Sequence, residues 1–255
     1  MLTLIENSID LWFKTMPRGL NRQHIPKDIK LIAHRGAHHH QQGLIENTWS
    51  AFEKAAALGC FGIEFDIHAT SDGVLVVHHD PDLQRLWGHK DKIASLSYEA
   101  LHKLVPEIPR LDAVIKTFGK KMHLFIELKA PFDAVDTLFE TLSPLTPGED
   151  YHLLSLCEHL FEPFDRFPKT CLLLVASHNN AKRFCDVSLT KPYGGVLGHY
   201  LLMRDSYLSQ LKSQQQKTGV GFVDSRFSLY RELNRGISWI FTNNAADVAK
   251  LLGEL

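Results

Sequence analysis

Gly62-Ile63-Glu64-Phe65-Asp66-Ile67 reads as a strand that is apolar enough to be buried yet carries two carboxylates. Residues two apart on a strand project to the same face, so Glu64 and Asp66 share one side while Ile63, Phe65 and Ile67 fill the other. Those flanking residues argue against an exposed strand edge. Three more stretches follow the rule of a short apolar run studded with, or ending in, charge: Leu31-Ile32-Ala33-His34-Arg35-Gly36, Val74-Leu75-Val76-Val77-His78-His79-Asp80, and His123-Leu124-Phe125-Ile126-Glu127-Leu128-Lys129. Burying an unpaired carboxylate costs several kcal/mol or forces its neutralisation. Glu64, Asp66 and Glu127 on such strands therefore need a shared cation, either a bound metal or the nearby Arg35 and Lys129.

Outward from these runs, strand-like segments alternate with helical ones. Strands are expected at Lys30–Ala33, Gly62–Ile67, Met122–Leu128, Tyr151–Leu156, Cys171–Val175, Gly195–Leu197, Val220–Val223 and Trp239–Thr242, with an extra run at Val74–His78 after the turn signal Ser71-Asp72-Gly73. The long runs are continuously apolar, as parallel strands buried on both faces should be. Helices are expected after Asn47 or Thr48 as far as Gly59, then over Pro131–Leu142, Asn180–Val187, Arg204–Lys217, Phe227–Asn234 and Ala245–Leu252. Asn or Thr favours a helix start and Gly a helix stop. About eight β/α units in roughly 250 residues is what a closed (β/α)8 TIM barrel requires. A doubly wound open sheet competes, and counting strands does not exclude it. No Gly-x-Gly-x-x-Gly follows a strand, however, and the charges sit at strand carboxyl ends, where a barrel keeps its chemistry. We therefore expect a single barrel domain over residues 30–255, with at most a small insertion after the second strand.

Residues 1–29 are expected to form an amphipathic helix and lead-in, with Leu2, Ile5, Ile9, Trp12 and Met16 as the stripe that packs on the barrel. Glu6 and Asp10 interrupt the run and no basic segment precedes it, unlike a secretory leader. The net charge of −1 leaves no electrostatic footprint for nucleic acid or an anionic membrane. No apolar run approaches the roughly 18 residues of a membrane span, so no stable membrane anchor is expected. Cys60, Cys157, Cys171 and Cys185 show no Cys-x-x-Cys spacing and read as reduced cytoplasmic thiols. The tract His38-His39-His40 reads as a solvated loop rather than a metal-binding run.

The donor set suggests a chemistry. Three carboxylates without a thiolate favour Mg²⁺, Ca²⁺ or Mn²⁺ over structural zinc. His34 and His79 close their runs without the spacing of a zinc helix, which suits two titrating bases flanking a metal. Arg35 offers a bidentate fork suited to phosphate, and Lys129 a second positive charge. Together these groups suit phosphodiester cleavage.

Several spaced blocks then resemble the glycerophosphodiester phosphodiesterase family. They are His34-Arg35-Gly36-Ala37, Glu46-Asn47-Thr48 with Ala51-Phe52, Glu64-Phe65-Asp66, Thr70-Ser71-Asp72-Gly73, Val76-Val77-His78-His79-Asp80, Ile108-Pro109-Arg110-Leu111, Glu127-Leu128-Lys129, and Gly236-Ile237 through Thr242-Asn243. The resemblance is strongest over residues 30–130. It implies a barrel that hydrolyses glycerophosphodiesters to glycerol 3-phosphate and an alcohol with a divalent metal. It further implies that His34 and His79 are the acid/base pair, that Glu64, Asp66 and Glu127 are metal ligands, and that Arg35 and Lys129 bind phosphate or substrate. Glu46 lies at a family position near the site. The implied route is attack by the glycerol 2-hydroxyl to give a cyclic phosphate, which water then opens. The resemblance leaves open which histidine is base and which acid; we take His34 as base.

Three departures stand out. Ile45 replaces the family's Pro, Gly221-Phe222-Val223-Asp224 replaces a Trp-Thr-Val-Asn-like stretch, and Asn243 replaces an Asp after Thr242. The last two sit at strand ends that shape the substrate pocket. Two alternatives remain at this point: a related barrel acting on lysophospholipids, which needs an apolar rim, and a noncatalytic phosphodiester-binding barrel, which needs no paired acid and base.

Overall fold

A computed structural model of the protein describes residues 11–177 and 179–255. Its strands are Lys30–His34 (β1), Gly62–Ala69 (β2), Leu75–Val77 (β3), His123–Leu128 (β4), Tyr151–Ser155 (β5), Leu172–Ala176 (β6), Gly195–His199 (β7), Lys217–Gly221 (β8) and Trp239–Thr242 (β9). The strand order is β1-β9-β8-β7-β6-β5-β4-β2-β3, and β1 also pairs with β2, with Ile32 opposite Gly62. That last pairing closes the sheet and excludes the open doubly wound alternative. Every strand but β3 runs parallel to its neighbours; β3 folds back antiparallel on the outer half of β2. The chain is a (β/α)8 barrel.

The two faces of the strands divide the core. Ile63, Phe65, Ile67, Leu124, Ile126 and Leu128 belong to the large apolar layer between barrel and helices. Ile32, Phe125, Leu154, Leu173, Leu197, Trp239 and Phe241 fill the barrel interior. Among these interior groups His123 and His152 form a buried pair, Nε2 to Nδ1 at 2.7 Å. The outer layer comes from Trp49–Ala57 (α1), Leu111–Phe118 (α4), Val135–Leu142 (α5), Ala181–Thr190 (α6), Asp205–Ser213 (α7), Arg226–Asn234 (α8) and Ala245–Gly253 (α9). Between β5 and β6 the connection holds two 3-10 turns instead of an α-helix.

The insertion after β3 is small, as expected. It carries the short helix Gln84–Trp87 (α2) and the helix Tyr98–Leu104 (α3). Val76, Leu83, Ile93, Leu101, Val105 and Ile108 give it an apolar cluster of its own. The cluster fixes the insertion against the rim beside β3.

Some boundaries differ from expectation for identifiable reasons. The helix expected as far as Lys217 ends at Ser213, because Gln215 turns into the left-handed region (φ 59°) and Lys217 already pairs with Gly195. β8 accordingly ends at Gly221, before Phe222, which is also left-handed (φ 64°). The helix expected from Pro131 begins at Val135, since Phe132 first turns into the core. Of the expected N-terminal stripe, Leu2, Ile5 and Ile9 lie outside the described residues. Trp12 and Met16 are exposed, and the buried side chain is Phe13, edge-on to Tyr200 at 5.5 Å. The short helical stretch 11–15 thus presents a neighbouring face.

Candidate active site

Register assembles the charged groups at one mouth. His34 lies opposite Glu64 in the β1–β2 pairing, and Asp66 lies opposite Glu127 in the β2–β4 pairing. Period-two alternation turns Glu64 and Asp66 inward with Glu127. Each of the three offers an oxygen within 4.8 Å of the others, and all three are buried. Lys129 Nζ donates to Asp66 Oδ1 at 2.7 Å and also to Glu127 Oε1. Asn47 Nδ2 donates to Asp66 Oδ2 at 2.9 Å, and the Arg35 backbone N–H donates to Glu64 Oε2 at 3.0 Å.

Electrostatics show that this trio is short of positive charge. Burial pushes the Glu64 and Glu127 carboxyls above their ordinary range, and the Asp66 charge pushes both further. Burial also acts against ionised Asp66, but Lys129 and Arg35 outweigh it and hold that carboxyl low. A hard divalent cation fits such a set: three oxygen donors, no thiolate, and two carboxylates whose ionisation needs a partner. Glu64, Asp66 and Glu127 would hold it.

The turn after β1 aims Arg35. Arg35 (φ 57°) and Gly36 (φ 77°) are both left-handed. A Cβ on Gly36 would stand 2.8 Å from the Ala51 Cβ and 2.9 Å from the Phe52 ring, so the turn packs on α1 only with glycine there. Asn47 (φ 59°) donates its backbone N–H to the Arg35 carbonyl at 3.0 Å and locks the turn from the other side. The guanidinium then reaches the mouth, NH1 donating to Glu46 Oε1 at 2.8 Å. Its Nε is buried and faces Asp66 Oδ2 at 3.6 Å, an ion pair just beyond hydrogen-bond reach.

The two histidines are held by different partners. His34 Nδ1 lies 2.7 Å from Asn243 Oδ1. The Asn243 amide is oriented by its Nδ2, which donates to Asp224 Oδ2 at 3.0 Å, so Oδ1 faces His34 and accepts. His34 Nδ1 therefore carries the proton, and Nε2, 3.7 Å from Glu64 Oε2, presents its lone pair to the carboxylates. His79 Nδ1 instead donates to the Asp80 carboxylate at 2.8 Å. Burial lowers both imidazoles below the ordinary value, with Arg35 adding to the effect at His34 and Lys129 and Arg35 at His79; the Asp66 charge opposes it at both.

Glu46 sits just behind Arg35. Besides Arg35, it accepts from Arg85 NH2 at 2.6 Å and Arg85 NH1 at 3.2 Å, and its Oε2 lies 3.3 Å from His40 Nε2. Burial opposes its charge, yet Arg85 and Arg35 hold it far below the carboxylate range. His38, His40 and Glu46 come within metal-ligand reach of one another, but two guanidiniums already occupy the Glu46 oxygens. The histidine tract leads into the 3-10 turn His40–Gln42, with His39 and His40 exposed and His38 Nδ1 against the His34 carbonyl at 3.2 Å.

Sequence reasoning did not single out Arg85, Asp80 or the Asp224–Asn243 pair for these contacts. Asp80 and Asn243 fell inside motifs, and Asp224 stood out only as a departure. Arg85 lies on an insertion without any periodic signal. At the rim, Phe222 and Leu156 are exposed, and the Phe222 ring is 5.6 Å from His34 and stacks on His199 at 5.1 Å.

Comparison with known proteins places this geometry. Residues 34–151 match the model of the glycerophosphoryl diester phosphodiesterase family. A glycerophosphodiester phosphodiesterase 1 from Mus musculus is 29% identical over 160 residues, 57% of this chain but only 47% of the mouse protein. The chain thus spans about half the length of that relative. A glycerophosphodiester phosphodiesterase from Caldanaerobacter subterraneus is 27% identical over 251 residues, covering 87% of this chain and 97% of the relative. The crystal structure of a glycerophosphodiester phosphodiesterase from Thermotoga maritima superposes with a TM-score of 0.75 at 23% identity, over 88% of this chain and 98% of the other. The family model over residues 34–151 and the Caldanaerobacter relative aligned over 87% of this chain indicate the glycerophosphodiester phosphodiesterase family, and the Thermotoga structure shows the same barrel fold.

Proposed function

We propose that the protein hydrolyses glycerophosphodiesters to glycerol 3-phosphate and an alcohol. The observation that supports this most directly is the pairing of His34 and His79, each held through Nδ1, around a carboxylate trio with the Arg35 guanidinium beside it. A module that only binds phosphodiesters has no use for two oriented imidazoles.

His34 suits the base because a neutral amide oxygen backs it and its Nε2 lone pair faces inward. It takes the proton from the glycerol 2-hydroxyl as that oxygen attacks phosphorus. His79 suits the acid because the Asp80 carboxylate stabilises its imidazolium. It protonates the departing alcohol oxygen. The two exchange roles when water opens the cyclic phosphate. Arg35 and Lys129 bind the phosphoryl oxygens and neutralise charge that develops on them. Glu64, Asp66 and Glu127 would hold one divalent cation, which we take as Mg²⁺ or Ca²⁺ with Mn²⁺ as a further candidate, and it would supply Lewis-acid stabilisation of developing negative charge.

The substrate is a small molecule, and the work belongs to lipid and glycerol metabolism. A cytoplasmic setting fits four free cysteines, three of them buried. Among the described residues no helix is long and apolar enough to cross a membrane. A second reading has one observation in its favour: Phe222 and Leu156 follow β8 and β5 at the mouth and are 44% and 46% exposed. Such a rim would suit a lysophospholipid. Parallel assays on glycerophosphocholine and lysophosphatidylcholine, with each product quantified, decide between the two; greater kcat/KM on the lysolipid would establish the second reading.

A further inference from the structure

Arg85 stands outside every motif described above, yet its guanidinium touches both arms of the site. Nε donates to Asp80 Oδ2 at 2.5 Å, the same carboxylate whose Oδ1 accepts from His79 at 2.8 Å. NH2 and NH1 donate to Glu46 at 2.6 and 3.2 Å, and Glu46 accepts from Arg35 at 2.8 Å. The result is an unbroken chain, His79–Asp80–Arg85–Glu46–Arg35, linking the proposed acid to the proposed phosphate clamp. We propose that Arg85 is a positioning residue that sets the orientation of His79 and Arg35 together; the assignment rests on the functional reading above.

Three observations support it. First, Arg85 is anchored from both sides of α2. Leu83 is fully buried in the insertion cluster, and Trp87 Nε1 donates to His78 Nε2 at 3.2 Å, next to His79 in the chain. Second, the planar fork uses separate nitrogens for its two carboxylates, which an ammonium cannot reproduce with the same geometry. Third, Glu46 is 4% exposed. Without Arg85 its charge would fall on Arg35, with only the exposed His40 imidazole at 3.3 Å beside it, and draw that guanidinium back from the mouth, while Asp80 would lose the contact that holds it against His79. The insertion therefore does more than cover the rim: it delivers one cation to a place where two catalytic arms meet.

The test measures kcat and KM on glycerophosphocholine with metal for wild type, Arg85→Ala, Arg85→Lys and, as a control on the same helix, Gln84→Ala. Arg85→Ala should lose roughly tenfold to a hundredfold in kcat/KM, the scale of a misplaced catalytic group. Arg85→Lys should recover only part, and Gln84→Ala should match wild type. The Arg85 side chain is 45% exposed, so added methylguanidinium should restore Arg85→Ala and leave wild type unchanged. Asp80→Asn and Glu46→Gln should each be non-additive with Arg85→Ala, because one chain serves both. A fully active Arg85→Ala overturns the assignment. So does a loss that follows the folded fraction and resists methylguanidinium, or strict additivity with either carboxylate variant. An inactive wild type is a separate result that removes the functional reading itself.

Discussion

The Asn243 Oδ1 accepts the proton of His34 Nδ1 at 2.7 Å, and it can do so only because Asp224 holds the amide the right way round. The two positions that depart from the family pattern at the ends of β8 and β9 are therefore partners. Asp224 also accepts from the Thr242 hydroxyl and the Asn243 backbone N–H, both at 2.7 Å, which ties the strand ends to one carboxylate. Hydrogen-bond geometry thus selects the tautomer of His34.

Asn243→Ala should consequently lower kcat by about tenfold or more while leaving KM nearly unchanged, since in the proposed mechanism the interaction orients the base rather than the substrate. Steady-state kinetics on glycerophosphocholine would check this. A KM effect with normal kcat would place Asn243 in substrate binding instead.

Replacing His34 or His79 by Ala should cost roughly a hundredfold or more in turnover with the fold retained, the usual scale for a lost acid or base. The double variant should lose less than the product of the single losses, because the two act as a unit. Circular dichroism alongside kinetics separates chemistry from folding. A near-normal rate in either single variant would remove that residue from the mechanism.

Arg35→Lys should not behave as a conservative change. In the proposed reading the guanidinium, which donates to Glu46, also grips a phosphoryl oxygen, and an ammonium cannot span both with fixed geometry. Both kcat and kcat/KM should fall. Unchanged constants would mean that Arg35 only neutralises Glu46.

The buried imidazole pair in the barrel makes a prediction about stability. Glu149 O can only accept, so His123 Nδ1 donates to it at 2.9 Å, and His123 Nε2 then accepts from His152 Nδ1 at 2.7 Å. Burial lowers His123 to about 4 and His152 to about 3, against an ordinary 6.5. The unfolded chain therefore binds protons more readily than the folded one between 6.5 and those values. Stability contributed by the neutral pair is present above 6.5 and is lost as pH falls through that window, by at most about 1.4 kcal/mol per pH unit for each group. Denaturant titrations on the acid side should show this slope, and His152→Gln should flatten it. An equal slope in wild type and variant would contradict the assignment.

The legible part of the fold was what burial writes into strands. Glu64, Asp66 and Glu127 could be read as converging because period two is geometric and Ile63, Phe65 and Ile67 mark the buried face. Closure itself was not written in any residue; it lies in the β1–β2 pairing. The end of β8 was misread because Gln215 and Phe222 adopt a left-handed backbone that neither residue type advertises. Trp12 and Met16 were assigned to the buried stripe, whereas Phe13 occupies it, with the Arg18 and Arg231 guanidiniums over its ring at 4.7 and 5.6 Å. Arg85 was invisible because an irregular insertion carries no period, and only the fold brings it to Glu46.

The central claim is metal-dependent hydrolysis at the mouth formed by Glu64, Asp66 and Glu127. The most direct measurement is glycerol 3-phosphate release from glycerophosphocholine by the chelator-treated protein, before and after adding Mg²⁺, Ca²⁺ or Mn²⁺, with Glu64→Gln alongside. The account predicts no release after chelation, recovery with at least one of the three ions, and little recovery in Glu64→Gln. Undiminished release in excess chelator from protein shown to hold no metal, or full recovery in Glu64→Gln, would contradict it.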